Sequence, residues 1–319
     1  VNNDISQPWF SKGDVELLLP IADAIEAVER ELTRGHDAAG DPRRIIIDTA
    51  HGQLLLMPAE SESYLGIKVA SVAPNNPNRG LPRIQATYIL MDSETMAPLA
   101  IMDGTALTSL RTPAVSALAA KFLAMHDASN LVVFGTGPQA RAHIAAMCAI
   151  RPITAISIVA TTQLKAGGLA TQVAELGLKG LAIDAADSRQ VDQAVAKADL
   201  IVCATTSLEP LFDGRQASNE TCVIAVGSHE PTAREVDGEL VGRSFVVVED
   251  KATALRESGD IVMAIAEGSL NASSLLSLFE LVNTPKRIFD QPRFFKSSGM
   301  AWEDLAVAAE VFRRSGANH

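Results

Sequence analysis

Between Ser129 and Val248, short apolar runs alternate with stretches of helical periodicity. Leu131–Phe134, Ala155–Val159, Leu181–Ile183, Leu200–Ala204, Val223–Val226 and Phe245–Val248 read as strands. Gln139–Ile150, Lys165–Leu176 and Ser188–Ala198 read as the helices between them. Uniformly apolar strands that alternate with amphipathic helices predict a parallel sheet covered on both faces. The first 128 residues follow another pattern. A helix over Ala22–Arg34 precedes the runs Ile45–Asp48, Gln53–Met57, Leu65–Val72 and Gln85–Asp92, with turn-rich segments between them, of which Pro74–Gly80 is the clearest loop. Consecutive strands joined by loops predict a mostly antiparallel sheet. Thr112–Ala124 is an Ala-rich helical stretch, and Ala301–Arg314 an amphipathic helix that returns the chain to its first domain.

The first strand of the alternating series runs straight into Gly135-Thr136-Gly137-Pro138-Gln139-Ala140, and helix-compatible sequence follows. Strand, glycine turn and helix, in that order, are what a dinucleotide-binding loop requires. Gly135 allows the tight turn, Gly137 lets the backbone approach a pyrophosphate, and Ala140 is small enough for the helix to pack on the strand. The amides at the helix start then face the phosphates, aided by the helix dipole. The expected fold is α/β: a Rossmann-type doubly wound parallel sheet over 119–299, plus a discontinuous α+β domain made of 1–118 with 300–319. In NAD-binding domains an acidic residue about 20 positions past the glycines bonds the ribose hydroxyls. Here Thr161, Thr162 and Lys165 follow the second strand, and no Asp or Glu occurs between Arg151 and Ala174. Hydroxyls plus a lysine suit a ribose phosphate, so NADP(H) is expected, with NAD(H) the alternative. The simpler reading of Thr161 and Thr162 is that they cap the next helix.

Composition narrows the partners. The 319 residues include 47% hydrophobic and 20% charged residues, enough apolar material for sizeable cores. A formal net charge of -11 argues against nucleic acid as main partner, while leaving room for a local basic pocket. Cys148, Cys203 and Cys222 sit in apolar surroundings without metal-ligand spacing and read as buried free thiols of a reducing compartment. No early segment has signal-peptide character and no apolar run approaches a membrane span, so a cytoplasmic protein without a membrane partner is expected.

A redox domain needs a second site for its substrate. The first domain holds basic residues in distinctive settings: Arg43-Arg44 before Ile45, Lys68 inside the apolar run Leu65–Val72, Arg83 after Gly80-Leu81-Pro82, and Arg111, read as opening the helix that joins the domains. Half-buried cations in an acidic protein have anionic partners, and an arginine fork recognises a carboxylate through two bonds. Arg43 reads as a surface salt bridge, whereas Lys68 and Arg111 read as functional. Thr112 contacts phosphate or caps the helix beginning there. Asp103-Gly104 reads as a turn.

These segments also carry a resemblance. Lys68-Val69-Ala70-Ser71-Val72, Asn75 to Pro82, Met102-Asp103-Gly104, Leu110-Arg111-Thr112 and the Gly135–Ala140 loop are similar to the ornithine cyclodeaminase/mu-crystallin family. So are Ala204-Thr205-Thr206, Ala225-Val226-Gly227-Ser228, and Gly299 with Trp302-Glu303-Asp304. The resemblance implies a homodimer joined through the substrate domain, built from both chain ends, with the dinucleotide domain inserted between them. Activities in the family include ornithine cyclodeaminase, alanine dehydrogenase and reduction of cyclic ketimines. By position, Arg44, Lys68 and Arg111 match residues that hold the substrate carboxylate and its neighbours, with Met57 and Arg83 added to the substrate set. Arg111, Thr112, Ala204, Thr205, Thr206, Val226, Gly227, Ser228, Ser298 and Gly299 join the cofactor set.

Two departures narrow the activity. Cyclodeaminases resemble a Glu-Leu-Met-Pro pattern where this chain has Leu55-Leu56-Met57-Pro58, and they carry an aspartate where this chain has His229. Without those carboxylates, the groups best suited to manage a side-chain ammonium are missing. The expectation is therefore an NAD(P)H-dependent ketimine reductase, acting first on Δ1-pyrroline-2-carboxylate and also on piperideine-2-carboxylate. The rivals are ornithine cyclodeaminase, alanine dehydrogenase and a non-catalytic NADPH-dependent binder. Lys68 is the first candidate for a proton relay. His229 is either the second or a loop histidine satisfied by main-chain bonds. His36, His51, His126, His143 and His319 show no metal-ligand spacing, so no metal is expected.

Overall fold

The computed structural model describes residues 7–284 and 289–317; His319 lies outside them. The chain divides into two compact units, one of Val1–Thr112 with Gly299–His319 and the other of Pro113–Ser298.

In the first unit, β1 (Trp9–Phe10), α1 (Lys12–Leu18) and α2 (Ile21–Thr33) precede five strands: β2 (Ile45–Thr49), β3 (Gly52–Glu60), β4 (Tyr64–Val72), β5 (Ile84–Asp92) and β6 (Pro98–Asp103). They form a sheet in the order β1-β6-β5-β4-β3-β2, antiparallel except for the β1–β6 pair. Along β4 the side chains alternate: Tyr64, Gly66, Lys68 and Ala70 are buried, while Leu65, Ile67 and Val69 are half-buried. Register aligns Met57, Lys68, Tyr88, Met102 and Phe10 in one row across five strands, and all five are buried. A lysine therefore stands in the middle of an otherwise apolar row. The C-terminal helix, Ala301–Arg314, packs against β3, β4, β5 and α2. Ion pairs Arg30–Glu310 (3.3 Å) and Arg314–Asp23 (2.6 Å) join it to α2.

The helix expected from Thr112 begins earlier. α3 spans Gly104–Leu123, and Arg111 lies inside it instead of opening it. The cause is Asp103, whose Oδ1 accepts from the amides of Thr105 and Ala106, each at 2.9 Å. An Asp-Gly pair read as a turn is a helix start. Thr112, buried mid-helix, therefore caps nothing.

The second unit contains β7 (Asn130–Phe134), α4 (Pro138–Ile150), β8 (Ala155–Ala160), α5 (Gln163–Glu175), β9 (Lys179–Asp184), α6 (Ser188–Ala196), β10 (Leu200–Cys203), β11 (Cys222–Ala225), α7 (Gly238–Gly242), β12 (Phe245–Val248), α8 (Lys251–Glu257), α9 (Gly259–Ala266), β13 (Leu276–Ser277), α10 (Leu278–Val282) and β14 (Arg293–Lys296). Eight parallel strands lie in the order β13-β12-β14-β11-β10-β7-β8-β9. Order reverses at β7, with β8 on one side and β10 on the other, which is the switch point where doubly wound sheets bind ligands. Helix α5 packs on β8 and β9, and its buried residues, Ala166, Leu169, Ala170 and Val173, form the apolar side that periodicity predicted. Cys203 and Cys222 are buried and Cys148 half-buried, all with free thiols. Among the described residues no helix is long and apolar enough to cross a membrane.

Candidate active site

Lys68 is sealed in the first unit. Its Nζ donates to Asp304 Oδ2 at 2.6 Å and to Thr108 Oγ1 at 3.2 Å. Arg111, one turn past Thr108 and on the same face of α3, donates from Nη1 to Glu303 Oε2 at 2.8 Å, and its Nε lies 3.4 Å from Asp304 Oδ1. Two cations and two carboxylates thus share one buried cluster. Burying a charge alone is prohibitive, and here each is matched by an opposite one. Glu303 and Asp304 occupy the first turn of the C-terminal helix, where the helix dipole favours negative charge. Burial pulls the Lys68 ammonium down to about 8, with Arg111 acting in the same direction and Asp304 opposing both.

The turn before that helix completes the cluster. Gly299 has φ +74°, and a Cβ there would lie 2.7 Å from Arg111 Nη1, so the guanidinium packs directly on the glycine backbone. Arg44 Nη2 donates to the Gly299 carbonyl at 2.7 Å. Arg44, Lys68 and Arg111 are therefore gathered around residues 299–304, and Met57 lies beside Lys68 in register. Arg83 is exposed on the loop entering β5 and takes no part in the cluster. Leu55 lies opposite Ala70 and is two positions from Met57, so it belongs to the same sheet face as Lys68.

The second unit gathers its candidates at the C-terminal ends of its strands. Gly135 (φ +107°) turns the chain after β7, and a Cβ there would meet the Ala204 carbonyl at 2.5 Å. Gly137 is the N-cap of α4 without a side-chain cap, nothing stands within 4 Å of where its Cβ would be, and Pro138 begins the helix. The Gln139 side-chain oxygen is buried there without a hydrogen-bond partner. An uncapped helix start beneath open space, with an unpaired polar atom beside it, fits a dinucleotide pyrophosphate. Ala140 is fully buried behind the loop.

After β8, Thr162 caps α5 by accepting from the Lys165 amide at 3.3 Å, while Thr161 accepts from Lys165 Nζ at 3.4 Å. Capping thus accounts for Thr162 and not for Thr161. The carboxylate of Asp184, at the end of β9, is engaged by the Gln163 amide at 3.1 Å and the Ala186 amide at 2.9 Å. Thr205 and Gly227 are tied through Glu235, and the Ser228 hydroxyl donates to the Ala233 carbonyl. Ser298 donates its amide to Glu249 at 2.7 Å and shares a 2.9 Å bond with the Ser258 hydroxyl. His229 is exposed on the loop after β11. His143 is a core histidine instead: its ring nitrogens bond the Gln139 carbonyl (2.8 Å) and the Ser116 hydroxyl (2.9 Å), and burial lowers it to about 4.

Sequence reasoning missed Glu303, Asp304 and Glu235 as site-forming residues. It sought an anion for Lys68 and Arg111 in the ligand, whereas the chain supplies its own. The available signal was a pair of adjacent acids opening an Ala-rich helix whose length is otherwise mostly apolar.

Comparison with known proteins agrees with this architecture. Residues 9–318 match the model of the ornithine cyclodeaminase/mu-crystallin family. A Δ1-pyrroline-2-carboxylate reductase of Bacillus thuringiensis subsp. konkukian is 34% identical over 268 residues, covering 82% of this chain and 81% of that protein. The structure of Thermococcus litoralis Δ1-pyrroline-2-carboxylate reductase, solved with NADH and L-proline, superposes with a TM-score of 0.87 at 33% identity, covering 96% of this chain and 97% of that one. An archaeal alanine dehydrogenase dimer with bound NAD gives a TM-score of 0.88 at 27% identity, covering 97% and 96%. The match spans nearly the whole sequence, both units included, and this chain belongs to the ornithine cyclodeaminase/mu-crystallin family.

Proposed function

We propose that this chain is a nicotinamide-dependent ketimine reductase that converts Δ1-pyrroline-2-carboxylate to L-proline, with piperideine-2-carboxylate to pipecolate as its second reaction. The observation that carries this reading is the convergence of Arg44, Lys68 and Arg111 on residues 299–304. A cyclic imine with a carboxylate on its imine carbon needs a fixed acid group and a proton at nitrogen. Arg111 has five N–H donors, which can serve Glu303 and a substrate carboxylate together, with Arg44 beside it. Holding that carboxylate fixes which face of the C=N bond is presented for attack and removes much of the entropic barrier. Lys68 Nζ, held protonated by Asp304, gives its proton to the imine nitrogen. Protonation leaves the ring carbon strongly electrophilic. A bound nicotinamide dinucleotide supplies the hydride that completes the reduction. Lys68, buried among counter-charges, suits the proton donor's role better than the exposed His229.

The cyclodeaminase alternative is disfavoured by Leu55, which leaves the Lys68 face apolar at the position where a carboxylate would meet an ammonium. For the cofactor we favour NADPH. Thr161 and Lys165 offer a hydroxyl and an ammonium at the end of β8, and Asp184 is engaged by backbone amides. Gly135, Thr136 and Gly137 would lie along the pyrophosphate. We also propose a homodimer. The three consecutive isoleucines of edge strand β2, Ile45, Ile46 and Ile47, are 53%, 49% and 44% exposed, and a second copy would cover them. Free thiols without disulfides favour a cytoplasmic setting.

The test is NADPH oxidation with Δ1-pyrroline-2-carboxylate, with piperideine-2-carboxylate, and with pyruvate plus ammonia. Fast turnover of the cyclic imines and slow turnover of pyruvate plus ammonia is the expected order. Release of ammonia from ornithine without imine reduction would overturn it.

A further inference from the structure

A second buried charge cluster lies in the second unit, and the chemistry above leaves it unused. Glu235 is fully buried. Its Oε1 accepts from the Thr205 amide and the Thr205 hydroxyl, each at 2.7 Å, and its Oε2 accepts from the Gly227 amide at 2.6 Å. One carboxylate therefore spans the loops leaving two adjacent strands, β10 and β11. Glu235 is itself held in place. Its own amide and that of Val236 donate to Asp260 Oδ1 at 2.7 and 3.0 Å. Lys296, at the end of β14, brings Nζ within 3.4 Å of Asp260 Oδ2 and 3.4 Å of the Ala225 carbonyl. Lys296, Asp260 and Glu235 thus form a connected series under the C-terminal edge of the sheet, one cation and two carboxylates, with Asp260 reaching Glu235 through its backbone amide.

The loops it fixes are packed backbone to backbone. A Cβ on Gly227 would lie 2.0 Å from the Thr205 carbonyl, and one on Gly135 would lie 2.5 Å from the Ala204 carbonyl. The ends of β7, β10 and β11 form one continuous ledge with no room for side chains between them. A dinucleotide at the switch point beside β7, with its adenine ribose at Thr161 and Lys165 as proposed above, would extend its nicotinamide half toward β10 and β11. Glu235 lies on the nicotinamide side alone.

We infer that Glu235 is a positioning residue that holds the Thr205 and Gly227 loops in register for the nicotinamide half of the dinucleotide, without touching the cofactor itself. The inference rests on the dinucleotide reading above. Three donors aimed at two carboxylate oxygens need an acceptor at every contact. In Glu235→Gln the side-chain amide must turn its NH2 toward the Gly227 amide or toward Thr205, so one loop loses its anchor and moves away.

The test measures binding of NADPH and, separately, of ADP and adenosine 2′,5′-bisphosphate, to wild type and E235Q by calorimetry, with melting temperatures alongside. The expected result is a loss of about ten-fold or more in NADPH affinity, with the adenine-half ligands bound as in wild type. Loss of both in equal measure, or of neither, overturns the inference. Thr205→Val removes the hydroxyl donor to Glu235, together with the acceptor of the Ser207 amide, leaves the Thr205 and Gly227 amide bonds in place, and keeps the question decidable if E235Q does not fold. It should weaken NADPH in the same selective way, and an unselective or absent effect counts against the inference. A wild-type protein that binds no dinucleotide at all would instead defeat the functional reading on which this rests.

Discussion

The Lys68 ammonium and the Asp304 carboxylate meet at 2.6 Å, closed off from solvent, in a chain where they stand 236 positions apart. Asp304 raises the proton affinity of Lys68 against the burial that lowers it to about 8. If protonated Lys68 supplies the imine proton, activity is retained below that value and lost as pH rises through it, placing the alkaline limb of kcat/KM near pH 8. Removing the anion while keeping its shape, in Asp304→Asn, lowers the Lys68 value further. The limb should then move roughly one pH unit down. A pH–rate profile of D304N with an unmoved limb would remove Lys68 from the proton's path.

Lys68→Met tests the same group directly. It keeps the length of the side chain and removes the proton, so kcat should fall about a hundred-fold or more. NADPH affinity should stay near wild type, because Lys68 belongs to the first unit's cluster. A collapse of cofactor binding with kcat preserved would show that Lys68 serves the dinucleotide.

Arg111 is expected to act on the substrate acid group. Arg111→Lys keeps the charge and loses the planar fork, so it should raise KM for the imine steeply, with a cost of about 2–5 kcal/mol in kcat/KM. Arg111→Ala also removes the guanidinium bond to Glu303 and should lower the melting temperature. Steady-state kinetics of R111K indistinguishable from wild type would exclude the carboxylate role.

Gly299 makes Arg111's position possible. Gly299→Ala forces a left-handed alanine and puts its Cβ 2.7 Å from Nη1. The strain costs about 1–2 kcal/mol, and the guanidinium must move. We expect KM for the imine to rise as in R111K, with a modest drop in melting temperature. An unaltered KM would mean that Arg111 does not depend on the glycine.

Cofactor choice is set at the end of β8. Lys165→Ala should raise KM for NADPH several-fold and leave KM for NADH unchanged. Thr161→Asp, which puts an acid where a ribose phosphate would sit, should reverse the preference. Parallel titrations with the two reduced cofactors check both variants, and equal effects on the two would remove the argument from Thr161 and Lys165.

Much of this fold and site is legible in the sequence, and what is not has physical causes. The strands of the second unit are apolar on both faces, so Leu131–Phe134 and Phe245–Val248 announce themselves. β14 does not. It places Phe294 and Phe295 between Arg293 and Lys296, and charged residues at both ends of a buried strand hide it from any search for apolar runs. Arg293 is compatible with burial because its guanidinium donates to the carbonyls of Leu123, Asn219 and Glu220. The start of α3 was obscured by Asp103-Gly104, since local composition cannot distinguish a turn from a capped helix start. Lys68 was legible because a lone charge interrupts the apolar run Leu65–Val72. Asp304 and Glu235 were not, because their partners come from remote segments that only the fold brings together.

The most direct test of the central claim follows the hydride. NADPH deuterated at both C4 positions of the nicotinamide, mixed with Δ1-pyrroline-2-carboxylate and this protein, should yield L-proline carrying one deuterium at C2. Proline without the label, or no consumption of the imine while the cofactor is bound, would contradict it.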